Sequence, residues 1–297
     1  MMNIVFPKIG IVMEGGALRG LFTAGVLDVF LEHNLHFGAA VGVSAGAAFG
    51  CNLKSRQPGR VLRYNLNYCK DPRYCSFRSL LKTGDLFGAE FCYKTLPEQL
   101  DPFAYRTFDA DPMEFFVVCT DMQTGEAVYP RCDRVNDRTY AWMRASASMP
   151  LASRPVEIDG RYYLDGGISD PIPLQFFLNR GLEKNIVVLT QPRDYVKPQN
   201  KLMPLMRRRL KAYPELIRAM ETRHLRYAES RDLVFQQEEL GAAVVICPAE
   251  PLPIGRLTHD PEKIRAAYAC GRQAALQALP AVRKLLGYDT QTGEAKP

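Results

Sequence analysis

The sequence predicts an α/β fold, a three-layer α/β/α sandwich around a mostly parallel central sheet. Three observations lead there. Apolar strand and helix patterns alternate twice within about 45 residues, the rhythm of parallel strands joined by crossover helices. The two strands of that stretch each end in a glycine-rich turn that opens a helix. Strand and helix patterns then keep alternating through most of the chain.

Taken in order, Ile9-Gly10-Ile11-Val12-Met13 is short and free of polar side chains, the pattern of a strand covered on both faces. A glycine turn follows, then a helix from about Arg19 to His33. In it Phe22, Val26, Val29 and Phe30 recur at i, i+4, i+7 and i+8, with Leu21, Leu27 and Leu31 widening the apolar face. Ala39 to Val43 reads as a second buried strand and Ala45 to Leu53 as the start of the next helix. Later strands are expected at Glu114–Thr120, Ala127–Tyr129, Arg161–Leu164, Asn185–Thr190 and Ala243–Cys247. Helices are expected at Arg138–Ser146, Pro173–Asn179, Tyr213–Gly241 and Pro261–Leu279. Met122 to Glu126 looks like a hairpin turn, which brings some antiparallel pairing. Residues 69–108 are the least regular part, rich in aromatics, proline and glycine. No repeat or linker interrupts the chain, so residues 1–288 read as one domain and 289–297 as a flexible tail.

Length alone allows one large domain or two. A hydrophobic fraction of 47% with 24% charged residues fits a globular protein with a sizeable core. No apolar run approaches the roughly 18–20 residues that span a bilayer. Met1 to Gly10 lacks the basic start, long apolar stretch and cleavage site of a secretory signal, so the expected setting is cytoplasmic. The eight cysteines are scattered without a C-x-x-C pair, which points to reduced, mostly buried thiols. The four histidines form no zinc spacing with them, and no metal site is expected. The net charge of +6 is concentrated: Lys197 to Arg231 holds ten Lys/Arg against three Glu, leaving −1 for the rest.

Chemistry enters at Gly42-Val43-Ser44-Ala45-Gly46, a G-x-S-x-G elbow between strand and helix. Such a strained turn holds a serine hydroxyl where a substrate carbonyl can reach it, and leaves no room for side chains beside it. Upstream, Glu14-Gly15-Gly16-Ala17-Leu18-Arg19-Gly20 joins the first strand to the first long helix. A turn of that kind aims backbone N–H groups at one point, and so can hold a phosphate or an oxyanion. Ala17 occupies the middle glycine position of a dinucleotide fingerprint, and no acidic residue follows the next strand, which weighs against nucleotide binding. Serine needs a base. His33 and His36 end the first helix, His224 lies in the basic segment, and His259 suits a helix cap as well as it suits catalysis. The other candidate is Asp165 in Tyr163-Leu164-Asp165-Gly166-Gly167-Ile168, at a strand end. An ordinary turn aspartate is the alternative reading there.

These three segments, in order and spacing, resemble the three motifs of patatin-like phospholipases, a likeness that covers roughly Ile9 to Thr190. The resemblance implies a three-layer α/β/α fold related to, and distinct from, the α/β-hydrolases. It implies a serine acyl hydrolase acting on a lipid or other acyl ester, without metal or other cofactor. Ser44 would be the nucleophile and Asp165 the general base of a dyad. The N–H groups of Gly15, Gly16 and Ala17 would form the oxyanion hole. Arg19, Gly42, Gly46, Gly166 and Gly167 would support them. Ala17 departs from the family's third consecutive glycine; alanine still supplies an N–H if the residue needs no positive φ.

In the basic segment, Met203, Leu205, Met206 and Leu210 alternate with Arg207-Arg208-Arg209 and Lys211. Leu216, Ile217, Met220 and Leu225 continue an apolar stripe beside Arg218, Arg223 and Arg226, and Pro214 separates two helices. Residues 197–231 could rest on an anionic membrane surface, or pack as ordinary amphipathic helices with solvated arginines. No nucleic-acid-binding module accompanies the arginines. Residues 69–108, with Phe77, Leu80, Leu81, Phe87, Phe91 and Tyr93, could form a lid over an acyl pocket or belong to the core. Two other functions compete. One is an α/β-hydrolase or acyltransferase with a Ser44–His259–Asp165 triad, although only 43 residues precede the elbow. The other is a non-catalytic lipid- or anion-binding protein.

Overall fold

A computed structural model describes residues 8–288; what was expected of a leader in residues 1–7 and of the tail at 289–297 lies outside the described residues. The strands are β1 (Ile9–Met13), β2 (Ala39–Val43), β3 (Glu114–Asp121), β4 (Ala127–Val128), β5 (Val156–Ile158), β6 (Arg161–Asp165), β7 (Lys184–Val188) and β8 (Ala243–Ile246). They form one sheet in the order β5-β6-β3-β2-β1-β7-β8, with β4 paired to β3 off this path. From β3 through β8 along that order the pairing is parallel. The end built from β3, β4, β5 and β6 is antiparallel.

Alternation along the strands divides the core into two layers. Ile11 and Met13 face α1 (Gly20–Glu32), α2 (Ala45–Lys54), α6 (Asp137–Ser146) and α11 (Pro261–Leu286). Val12 faces the other side, with Val41, Phe116 and Val187, against α7 (Leu174–Asn179) and α10 (Arg223–Glu239). With both faces covered, these strands need no polar positions, and their sequences have almost none. The expected three-layer sandwich is the observed one.

Several boundaries differ from expectation for definable reasons. The helix expected over 213–241 is two, α9 (Pro214–Glu221) and α10, broken at Thr222. The Thr222 hydroxyl donates to the Arg218 carbonyl at 3.1 Å, a local bond that competes with a continuous ladder. Conversely, α11 runs seven residues beyond Leu279, straight through Pro280. Val282 and Leu286 are buried in line with Leu279, and that burial offsets the roughly 3 kcal/mol penalty of an interior proline. The irregular stretch contains α4 (Phe77–Thr83), a π-helical segment Phe91–Leu100 and α5 (Tyr105–Ala110). Also unforeseen are α3 (Arg60–Tyr68) and β5, whose three residues are too few to reveal an alternation. A short helix α8 (Met203–Arg209) precedes α9, as Pro214 suggested.

Candidate active site

The sheet brings the elbow and the candidate base to the same height. Val43 pairs with Val118 across β2 and β3, and Cys119 pairs with Asp165 across β3 and β6. Ser44 and Asp165 therefore stand level on either side of β3. Because β6 is antiparallel, it delivers its last residue to that level from beyond the end of β3.

Ser44 has φ 54° and ψ −119°, a conformation that costs a non-glycine residue on the order of 1–3 kcal/mol. The turn is held from outside. The Ser44 N–H donates to Ser146 Oγ at 2.8 Å, and the Asp165 N–H donates to the Ser148 carbonyl at 2.9 Å. One buried turn at the end of α6 thus fixes both backbones. A Cβ on Gly46 would stand 2.3 Å from the Met13 carbonyl oxygen, so the helix that starts at the elbow can only sit this close to β1 with glycine there.

The Asp165 side chain is 2% exposed and interacts with the Ser44 hydroxyl. Its Oδ1 accepts the Gly167 N–H at 2.8 Å. Burial raises its pKa above the ordinary carboxylate range; the Arg223 charge, the serine hydroxyl and the Gly167 N–H oppose that shift without cancelling it. Gly166 opens the 3-10 turn Gly166–Ile168 that supplies this N–H, and Arg223 Nε donates to the Gly167 carbonyl. No histidine is among the partners found for Asp165. His259 contacts the Cys69 carbonyl through Nδ1, and His224 Nδ1 meets the Glu221 carbonyl at 3.1 Å.

The glycine turn after β1 lies against the elbow. A Cβ on Gly15 would come within 2.9 Å of the Val43 oxygen and 3.0 Å of Ser44 Cβ. Glu14 donates its N–H to Val188 and Leu18 donates to Arg256, whereas the intervening N–H groups of Gly15, Gly16 and Ala17 meet no acceptor among the described residues. They are free to bind an anion. One sequence expectation needs correction: Ala17 has φ 51°, so this position does take a left-handed conformation that glycine would adopt more readily. Its N–H stays in the row despite the strain.

Buried Glu14 locks the turn to the sheet. Its Oε2 accepts the Thr190 N–H at 2.6 Å, and its Oε1 accepts the Tyr227 hydroxyl at 2.8 Å. Arg19 sits behind the turn, its Nε buried without a hydrogen-bond partner. Burial pulls its pKa down, opposed chiefly by Glu14.

Ser44 and Ala17 lie on the wall of a cavity of about 560 Å³, the size of an ordinary small-molecule site. Its walls are mainly apolar, with Phe49, Tyr64, Leu86, Phe87 and Leu96 among them. Leu86 and Leu96 come from the 69–108 stretch, which is therefore both cavity wall and local core. Lys197, Arg223 and Arg256, its rim cations, also line it, the first two half-buried and Arg256 exposed. Reasoning from sequence missed these three at the site, together with Ser146, Ser148, Thr190 and Tyr227. Only the density of basic residues beyond Lys197 hinted at the cations.

The mostly parallel sheet covered by helices on both faces, with the elbow serine and a buried aspartate level across one strand, places the chain in the class of three-layer α/β/α proteins. The family described as "Patatin-like phospholipase" matches residues 11–178, more than half of the chain, and the chain belongs to that family. A domain of unknown function, DUF6363, matches residues 213–287. The uncharacterised protein YjjU of Escherichia coli is 29% identical over 293 residues, 94% of this chain and 79% of its own length. An uncharacterised NTE family protein of Mycobacterium tuberculosis is 26% identical over 57% of this chain and 45% of its own. The lysophospholipase NTE1 of Cryptococcus neoformans is 27% identical over 63% of this chain, a match confined to 12% of that protein. Among solved structures, VipD from Legionella pneumophila superposes with a TM-score of 0.48 over 91% of this chain and 66% of its own, at 13% identity.

Proposed function

We propose that this protein is a lipid acyl hydrolase that cleaves carboxylic esters through an acyl-Ser44 intermediate, with Asp165 as its base. Family membership supports lipid hydrolysis at the level of class. The observation that carries the finer reading is the contact between the Ser44 hydroxyl and a buried Asp165, beside three unengaged N–H groups, on an apolar cavity.

A free aspartate, with a pKa of about 3.9, is a feeble base toward an alcohol. Burial lifts Asp165 above that and narrows the mismatch. As Ser44 Oγ attacks the acyl carbon, its proton passes to Asp165, and the carbonyl oxygen becomes an anion facing the N–H groups of Gly15, Gly16 and Ala17. Each such donor contributes about 2.7–4 kcal/mol in comparable sites. Collapse breaks the ester C–O bond, and the leaving alkoxide takes the proton back from Asp165. Water, giving a proton to the same carboxylate, then attacks the acyl carbon; the bond to Ser44 Oγ breaks, Oγ takes that proton back from Asp165, and the fatty acid leaves.

Substrate access at a membrane surface belongs to the same proposal. Half of the stripe in the basic segment packs inward, with Met203, Met206, Leu216 and Met220 buried. Leu202, Leu205 and Leu225 remain exposed beside Arg208, Arg209 and Arg226, a combination suited to anionic lipid. No helix among the described residues is long and apolar enough to cross a membrane.

A serine-directed fluorophosphonate tests the core of the reading. Wild type is expected to be labelled and Ser44→Ala not. Asp165→Asn should fold and lose at least about a hundredfold in ester hydrolysis, as expected for removal of a general base. Equal labelling of wild type and Ser44→Ala would remove the enzyme reading, and full activity in Asp165→Asn would remove the base.

A further inference from the structure

We infer that the cavity rim is a phosphate-binding site formed by Lys197, Arg223 and Arg256, which selects single-chain esters with a net-anionic head group over zwitterionic ones. The inference rests on the acyl-hydrolase reading and names its substrate. The three cations come from widely separated positions, and none lies in the segment 11–178 that matches the hydrolase family. Each is tied to the frame of the site. Arg223 Nε donates to the carbonyl of Gly167, whose own N–H holds Asp165. The Arg256 carbonyl accepts the Leu18 N–H, next to Ala17 on the glycine turn. Lys197 Nζ stands 4.5 Å above the centre of the Tyr227 ring, and Tyr227 in turn bonds Glu14.

Buried Asp165 and Glu14 attract this group from behind the cavity wall, but among the described residues neither pairs directly with it. Arg193, Arg207 and Arg218 each hold a glutamate, whereas no ion pair is found for Lys197, Arg223 or Arg256 among the described residues. The cavity lining contains one carboxylate, Asp85, and it is already engaged by Arg144 at 3.1 Å and by the Arg154 N–H. A quaternary ammonium would therefore meet cations and no unengaged carboxylate of the cavity lining. Burial first, and then the Arg223 charge, pull the Lys197 pKa down to about 7. An anion seated between the three would relieve that repulsion and return the lysine to its charged form. The cavity size suits one acyl chain, with the ester at Ser44 and the phosphate at the rim.

The test compares 1-acyl-glycerol 3-phosphate, 1-acyl-glycerophosphocholine and 1-acyl-glycerol with one acyl chain, all presented in the same neutral detergent micelles. Wild type should favour them in that order by kcat/KM. In Lys197→Met and Arg256→Gln the ratio of phosphate ester to neutral ester should fall about tenfold each, the loss expected for one charge-assisted contact. An unchanged ratio in the double variant, or equal rates on the phosphate and phosphocholine esters, would overturn the assignment. Binding to Ser44→Ala separates this failure from failure of the hydrolase reading. Titration of that protein with 1-acyl-glycerol 3-phosphate should show affinity that the two rim substitutions weaken, whether or not wild type turns over. If inorganic phosphate alone binds Ser44→Ala as tightly as the acylated compound, the site serves free phosphate and the head-group assignment fails.

Discussion

Two residues carry strain or charge that the fold would not choose for stability. Asp165 is a buried carboxylate whose folded pKa is raised, so the folded state holds a proton more tightly than the unfolded chain. Its ionised form therefore lowers stability at neutral pH, and that loss is recovered as pH falls through the folded pKa. The proposed catalysis runs the opposite way, because in it only the ionised form would accept the serine proton. The acid limb of a kcat/KM profile should fall above the ordinary carboxylate value of 3.8 and vanish with Asp165→Asn. A limb at or below that value would remove burial as the source of basicity. Ala17 is the second case. At φ 51° it bears about 1–2 kcal/mol of left-handed strain. Replacement by glycine removes this and adds about 0.4–1 kcal/mol of unfolded-chain entropy. Ala17→Gly should therefore gain up to about 1.6 kcal/mol, a rise of at most about 3–6 °C in a melting curve, with hydrolysis retained. A lower melting temperature would mean that the methyl group packs to advantage. The sequence marked Ala17 as a departure from a glycine run, but the sign of φ is set by tertiary contacts and could not be read there.

Among the elements, α1 and α11 cross so closely that backbone meets backbone. A Cβ on Gly25 would lie 2.2 Å from the Tyr268 carbonyl oxygen, and one on Gly271 would lie 1.9 Å from that of Phe22. Around the crossing Tyr268 donates its hydroxyl to Asp28 at 2.7 Å, and Arg272 holds Glu32 through two bonds. Gly271→Ala must push the helices apart and should cost about 1–3 kcal/mol as an overpacking change, although alanine is the better helix former. Chemical denaturation measures it; an unchanged or raised midpoint would show that the crossing yields. Nothing in either helix announces this contact, because a glycine in a helical pattern looks the same whether it faces a neighbour or solvent. The strands were far more legible. β1 and β2 are apolar on both faces and end at motif glycines, so their positions and the elbow between β2 and α2 followed from local pattern. The antiparallel β5–β6 hairpin was half seen, since β6 carries the Asp-Gly-Gly signal and β5 carries none. The Ser44–Asp165 pair was legible through resemblance to known motifs, whereas Ser146 and Ser148 had no signature at all.

For the whole molecule, the matched segment 11–178 contains both candidate catalytic residues yet lacks much of what holds them. It ends before β7, which flanks β1 on the side opposite β2, and before β8 beyond it. It lacks α10, which covers one face of the sheet, and α11, which covers α1. Glu14 would lose Thr190 and Tyr227, leaving a buried carboxylate with no partner of its own, and Gly167 would lose Arg223. We propose that residues 8–288 fold as one unit, with the region matched to DUF6363 as an integral part of the hydrolase and the source of two of its rim cations. A chain ended after Gly181 should then fail to fold. Each unsatisfied buried polar group costs about 1–3 kcal/mol, and the uncovered apolar surface costs far more than the 5–15 kcal/mol by which domains are stable. The expected result is an insoluble or non-cooperative product, with no fluorophosphonate labelling at Ser44. Coexpression of residues 182–288 as a separate chain should restore some soluble, labelled complex, because the missing surface is then supplied in trans. If the short chain instead melts cooperatively by itself and is labelled at the wild-type rate, residues 11–178 are an independent domain. The C-terminal region would in that case be an attachment to the enzyme and not part of its core.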